Sequence, residues 1–248
     1  MKTTLSLLAL LLLLPSNTAS AAEPPYFELR IYDITTNKLA AVLERFRDAV
    51  EPIRQKHGIK TMGYWTASTT NATHLIYLMK GRDPISFQQA DKAFGADPAF
   101  QAAYKASSEK HGKTVDRIIS LPLSAGDSEL DLSASPIPRT FELRLYSLLP
   151  GKLDTFRNRW REHAVPIYER HGLHSLGWWV ATQKDPRNPE IFVCLLAGDS
   201  RAGIEKSIAD FHRDPEWQQV QKETEREGSL RSDVTAYKLT PTDFSLLK

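Results

Sequence analysis

The sequence predicts an α+β fold: two ferredoxin-like βαββαβ modules packed sheet to sheet as an intramolecular pseudo-dimeric α/β barrel. Three observations predict it. The stretch Phe27-Glu28-Leu29-Arg30-Ile31-Tyr32 returns 114 positions later as Phe141-Glu142-Leu143-Arg144-Leu145-Tyr146, and the offset runs without a gap through Gly63-Tyr64-Trp65 and Gly177-Trp178-Trp179. Within each copy the apolar period alternates between two and about 3.6 residues in the order β-α-β-β-α-β. Finally, the run Leu75-Ile76-Tyr77-Leu78-Met79 is apolar on both sides, so the sheet face away from the helices needs a cover. The second copy supplies one.

Residues 1–21 read as a signal peptide. Lys2 gives a positive start, Leu5 to Leu14 is largely apolar, and Ala19-Ser20-Ala21 is an A-x-A cleavage signal. The apolar run is shorter than the roughly 20 residues that span a bilayer. The expected product is exported, periplasmic or secreted, with no membrane span after cleavage.

The first module covers 22–123. Tyr26 to Tyr32 alternates as a strand, with Phe27, Leu29 and Ile31 on one face and Glu28, Arg30 and Tyr32 on the other. Leu39, Val42, Leu43, Phe46, Val50, Ile53 and His57 then recur at helical steps up to a capping Gly58. Pro52 removes one backbone bond and predicts a bend, which its twin Pro166 repeats. Ile59 to Thr66 and His74 to Lys80 form a hairpin of strands. A helix from Pro84 is interrupted at Asp97-Pro98 and resumes towards His111, and Val115 to Leu121 closes the module. Ser124 to Pro138 is a small, acidic, proline-containing linker, residues 124–138. The second module, 139–248, repeats the order with a longer hairpin turn at Gln183 to Pro189 and a last strand near Val234 to Leu239.

Composition narrows the function classes. Thirty-two Lys and Arg stand against 30 Asp and Glu, and loss of Lys2 leaves a net charge of +1. That interspersed balance offers no field for nucleic acid. The only cysteine, Cys194, lies in an apolar run and reads as a buried, inert thiol, which rules out a zinc–thiolate site by count.

Taken together, Phe-Glu-Leu-Arg-x-Tyr, a helix ending in Pro-Ile…His-Gly, Gly-Tyr/Trp-Trp and a later Asp-Pro-x-aromatic resemble the NIPSNAP domain. The resemblance covers nearly all of both modules. It implies the dimeric α/β-barrel superfold, whose members include cofactor-free monooxygenases, haem-degrading enzymes, haem peroxidases and non-catalytic proteins. It implies no shared reaction.

Candidate site residues follow from the pattern. With Phe27, Leu29 and Ile31 under the helices, Glu28, Arg30 and Tyr32 are expected between the sheets, faced by Glu142, Arg144 and Tyr146. An arginine there is an anion or carbonyl clamp with a carboxylate base, or else half of an Arg–Glu pair stitching the sheets together. His57 and His171 close their helices; each either bonds the last free carbonyls or serves as a base or haem ligand. Of Tyr64, Trp65, Trp178 and Trp179, one of each adjacent pair joins the helix core and the other is expected to line an inter-sheet cavity. No metal site is expected, because His171 and His174 sit on different elements and Lys60 replaces the latter in the first copy. No cofactor is expected, because no other histidine recurs. The leading expectation is a protein that binds a small apolar or aromatic molecule between its sheets. The alternatives are a cofactor-independent monooxygenase, with Arg30 and Arg144 holding an enolate and His57 and His171 as bases, and a structural or interaction module with a filled barrel. Assembly beyond the pseudo-dimer stays open.

Overall fold

The computed structural model describes residues 25–125, 139–182 and 190–248. The leader 1–21, most of the linker 124–138 and the turn 183–189 lie outside them. The first module runs β1 (Tyr26–Ile34), α1 (Leu39–Arg45), a π-helical turn (Phe46–Val50), α2 (Glu51–Lys56), β2 (Lys60–Ser68), β3 (Thr73–Gly81), α3 (Pro84–Ala96), α4 (Pro98–His111) and β4 (Val115–Ala125). The second repeats it as β5 (Thr140–Leu148), α5 (Leu153–Arg159), a π-helical turn (Trp160–Ala164), α6 (Val165–Arg170), β6 (His174–Ala181), β7 (Glu190–Gly198), α7 (Arg201–Arg213), α8 (Pro215–Thr224) and β8 (Arg231–Pro241). β4 takes in the first residues expected in the linker.

Local chemistry explains the breaks. Pro52 has no N–H and its ring crowds the carbonyl four residues back, so the helix widens into the π turn just ahead of it, and Pro166 does the same. Gly58 and Gly172 end these helices at φ +75° and +77°, where a Cβ is costly. Asp97 and Asp214 cap α4 and α8, with Oδ1 accepting from the N–H of Ala99 (2.9 Å) and of Glu216 (3.0 Å).

The strands close into an eight-stranded barrel in the order β1-β3-β2-β8-β5-β7-β6-β4, antiparallel throughout. The two sheets thus form a pseudo-dimer, as expected, but they join edge to edge through two short seams. At one, Trp65 and Thr66 pair with Pro241 and Thr240; at the other, Leu123, Ser124 and Ala125 pair with Ala181, Val180 and Trp179. The C-terminal tail extends the first seam. Thr242 N donates to Tyr64 O (3.0 Å), Leu247 N donates to Met62 O (3.3 Å), and the Leu247 side chain joins the barrel core.

The faces of β1 and β5 are the reverse of the expectation. Phe27, Leu29 and Ile31 point into the barrel and meet Phe141, Leu143 and Trp179 from the other module. Glu28, Arg30 and Tyr32 point towards the helices. A closed barrel encloses its lumen on all sides, so a charge there would lose water with nothing in return. The helix layer is open at its edges and tolerates polar groups. Charges on the lumen parity occur at the rim, where Asp33 pairs with His74 Nδ1 (2.9 Å) and Arg117 Nε (2.7 Å). The doubly apolar β3 now has its reason: Ile76 and Leu78 fill the lumen while Leu75, Tyr77 and Met79 pack under the helices.

Candidate functional site

The space that could hold a molecule lies between sheet and helices. In the first module it is a cavity of about 860 Å³. β1 contributes Arg30 and Tyr32 to its floor, and the π turn contributes Phe46 and Val50 from one wall. Phe94 and Gly95 of α3 and Phe100 and Tyr104 of α4 close the other side. The Asp97-Pro98 break is what lets α4 turn and present its two aromatic rings.

Four arginines line this cavity; Arg117 pairs with Asp33 at the barrel rim, and the partners of the other three differ. Arg30 is neutralised: Nε donates to Glu28 Oε1 (2.6 Å) and Nη2 to Asp91 Oδ2 (2.7 Å). Glu28 also accepts from Tyr26 Oη (2.9 Å) and Ser120 Oγ (2.8 Å). The Arg–Glu pair therefore lies within one strand, and it does not bridge the sheets. Among the described residues Arg45 donates only to hydroxyls, Ser107 Oγ at 3.2 Å and Thr114 Oγ1 at 3.3 Å, and lies 5.4 Å from the centroid of the Tyr104 ring; partial burial pushes its pKa down. Arg54 is 1 % exposed and is held by the hydroxyls of Tyr64 (3.1 Å) and Tyr77 (3.0 Å); its Nε has no partner. It reaches a carboxylate only indirectly among the described residues, through Tyr64, whose hydroxyl donates to Glu51 Oε2 (2.7 Å). Asp91 Oδ1 is likewise buried and unpartnered. Burial pushes the Tyr32 phenol well up, so it stays protonated at neutral pH.

The twin cavity shrinks to about 100 Å³. Trp160 stands where the first module has Phe46, Trp217 where it has Phe100, and His212 where it has Gly95. Tyr168 replaces Arg54 and stacks on Phe211 at 4.0 Å between ring centroids. Arg159, the twin of Arg45, is paired with Glu225 Oε1 at 2.8 Å. Arg144 donates to Glu142 Oε1 (2.7 Å) and Tyr146 Oη (3.4 Å).

The remaining candidates separate. Trp65 and Trp179 are in the barrel lumen, 1 % and 2 % exposed, packed as core and not lining a ligand cavity. Trp65 folds back over Gly63, where an added Cβ would stand 2.3 Å from the indole, so the Gly-Tyr-Trp triplet is a packing unit. Tyr64 and Trp178 face the helices, Trp178 stacked on Phe192 at 5.2 Å. His57 Nε2 sits 2.8 Å from Asp97 Oδ2 and His171 Nε2 sits 2.9 Å from Asp214 Oδ2, so each ring ties its helix to the capping aspartate, not to carbonyls. Neither lines either cavity. Cys194 is fully buried under the helices, which pushes its thiol pKa well up and leaves it inert. Among the described residues no helix is long and apolar enough to cross a membrane.

The NIPSNAP family model matches residues 27–125 and 141–246, most of the chain and one match per module. The chain belongs to the NIPSNAP family. A search of curated proteins returned no match. Among solved structures, a candidate monooxygenase from Fusobacterium nucleatum is 12 % identical, with 92 % of this chain and 94 % of that one covered at a TM-score of 0.61. A candidate monooxygenase from Lactobacillus acidophilus is 10 % identical over 88 % and 94 %, at 0.54. An anthrone oxidase-like protein is 10 % identical over 91 % and 95 %, at 0.58. At these identities the likeness is one of fold.

Arg45, Arg54, Asp91 and Tyr104 belong to no motif in the sequence, and Phe100 belongs to one without standing out as a site residue, because all five lie on helices whose orientation the strand pattern does not give. Lining up the two copies holds the signal: Arg54 opposite Tyr168, and Ser108 opposite Glu225.

Proposed function

We propose that this tandem NIPSNAP protein binds one small, largely aromatic molecule in the helix-side cavity of its first module, with the second module serving as the structural half of the barrel. The observation that carries this is the inequality of two cavities built on the same frame. One holds about 860 Å³ behind Phe46, Phe94, Phe100 and Tyr104; the other is closed to about 100 Å³ by larger rings. The first size falls within the range of small-molecule sites, and such sites are mostly apolar with a few placed polar groups. Unpartnered Arg54 Nε and Asp91 Oδ1 are such groups. An oxygenase reading draws on the fold of the neighbours, and the same cavity would have to house its substrate.

Gly95→His tests the proposal by giving the first module the residue its twin carries. A Cβ on Gly95 meets nothing within 4 Å and the residue lies in α3, so the backbone there accepts a side chain. The expected result is loss of whatever small molecule co-purifies with the wild-type chain, read by mass spectrometry after denaturation, and loss of thermal shift with aromatic ligands. Retention of the same molecule by Gly95→His would place it elsewhere and overturn the reading.

A further inference from the structure

From the charges in the first-module cavity, and resting on the reading of that cavity as a ligand site, we propose that its ligand is an aromatic acid: a ring along Phe94, Phe100 and Tyr104 carrying an anionic group within reach of Arg45 and Arg54. The other cations that line the cavity already face carboxylates. Arg30 is shared by Glu28 and Asp91, Lys113 pairs with Asp116 at 3.0 Å, and Arg117 pairs with Asp33 at 2.7 Å. Those pairs leave Arg45 and Arg54, neither of which has a carboxylate within salt-bridge distance among the described residues. A guanidinium keeps its proton under all ordinary conditions, so Arg54 is a fully buried cation and Arg45 a half-buried one. Hydroxyls satisfy some of their N–H groups but supply no negative charge, and a buried charge without a counter-charge is a cost that a bound anion removes.

The twin shows what a counter-charge looks like when the protein provides its own. Arg159 Nη1 donates to Thr224 Oγ1 (3.0 Å) and Glu225 Oε1 (2.8 Å). In the first module the same two positions are Ser107 and Ser108, so the hydroxyl is kept and the carboxylate is gone. Tyr168 likewise removes the second cation where the cavity is filled. The carboxylate is thus missing on the side where space exists to admit one from outside. Asp91 Oδ1, held on the same wall by Arg30, is an acceptor for a ligand hydroxyl, which favours hydroxylated aromatic acids within the class.

The test restores the missing charge without filling the cavity. Ser108→Glu places the twin's carboxylate opposite Arg45. The probes are 1-hydroxy-2-naphthoate and 2-hydroxybenzoate, each with its neutral amide, titrated calorimetrically against the full chain. The wild type is expected to bind the acids about tenfold or more tightly than the amides, since each tenfold is about 1.4 kcal/mol and charge-assisted hydrogen bonds supply that much. Ser108→Glu is expected to weaken the acids about tenfold while leaving the amides within about twofold. Arg45→Gln, which removes the same positive charge, is expected to reproduce that pattern should Ser108→Glu fail to fold. Equal binding of acids and amides by the wild type, abolished for both by Gly95→His, would overturn the acid proposal and leave the cavity reading intact. Acid binding untouched by Ser108→Glu and Arg45→Gln would also overturn it. Absence of binding for every probe would count against both.

Discussion

Replacing Arg144 by methionine should cost much more stability than replacing Arg30, although the two occupy equivalent positions on β5 and β1. The reason lies in the carboxylate each leaves behind. Glu142 is 3 % exposed; apart from Arg144 Nε at 2.7 Å, its remaining partner among the described residues is Arg201 Nη1 at 3.9 Å. Arg201 is itself committed, donating through Nη2 to the carbonyls of Phe141 and Leu239. Loss of Arg144 therefore strands a buried anion, a change that costs about 3–5 kcal/mol. Glu28 keeps two good donors when Arg30 goes, the hydroxyls of Tyr26 and Ser120. Asp91 is more exposed and recovers water, so Arg30→Met should cost about 1–3 kcal/mol, the scale of lost charged hydrogen bonds. The difference traces to two substitutions between the copies: Thr140 stands where Tyr26 does, and Ala236 pairs with Arg144 where Ser120 pairs with Arg30. Urea unfolding of both variants measures the gap. A double-mutant cycle with Glu142→Leu should return a coupling of about 2 kcal/mol or more, and with Glu28→Leu a smaller one. Equal losses in the two variants, or no coupling between positions 142 and 144, would refute the reasoning.

Acid should unlock both helix breaks together. Asp97 is held below the usual carboxylate range by Lys56, His57 and the Ala99 N–H, and Asp214 by Arg170, His171 and the N–H groups that it caps. A depressed folded pKa stabilises above the unfolded value of about 3.9 and is lost as pH falls towards the folded one. The stability gap between wild type and Asp97→Asn/Asp214→Asn should therefore be constant near neutrality and shrink below about pH 4 in thermal melts; a gap independent of pH would argue against this role. Residues 25–125 expressed alone should self-associate, because Phe27, Leu29, Ile31, Trp65, Ile76 and Leu78 lose the cover that the second module gives them. A dilute, stable monomer by sedimentation would contradict that.

The repeat of Phe27–Tyr32 at Phe141–Tyr146 was enough to establish two modules, and the apolar faces of Leu75–Met79 were enough to require that their sheets cover one another. Those conclusions depend on local periodicity and on burial, which a chain carries residue by residue. Helix breaks at Pro52 and Asp97 were legible for the same reason: proline and a capping aspartate act on their immediate neighbours. Which face of β1 turns inward was not legible, since alternation separates two faces without saying which is enclosed. Only closure of the barrel decided it, by making the lumen the drier side and sending Glu28, Arg30 and Tyr32 to the helices. The cavity was further from reach. Arg45, Arg54, Asp91 and Tyr104 come from helices α1, α2, α3 and α4, and what they share is a space set by how those helices lie on the sheet. The differences between the copies were in the sequence from the start, as Arg54 against Tyr168 and Ser108 against Glu225. Their meaning came from the fold, because a missing carboxylate matters only where a buried cation faces the gap it leaves.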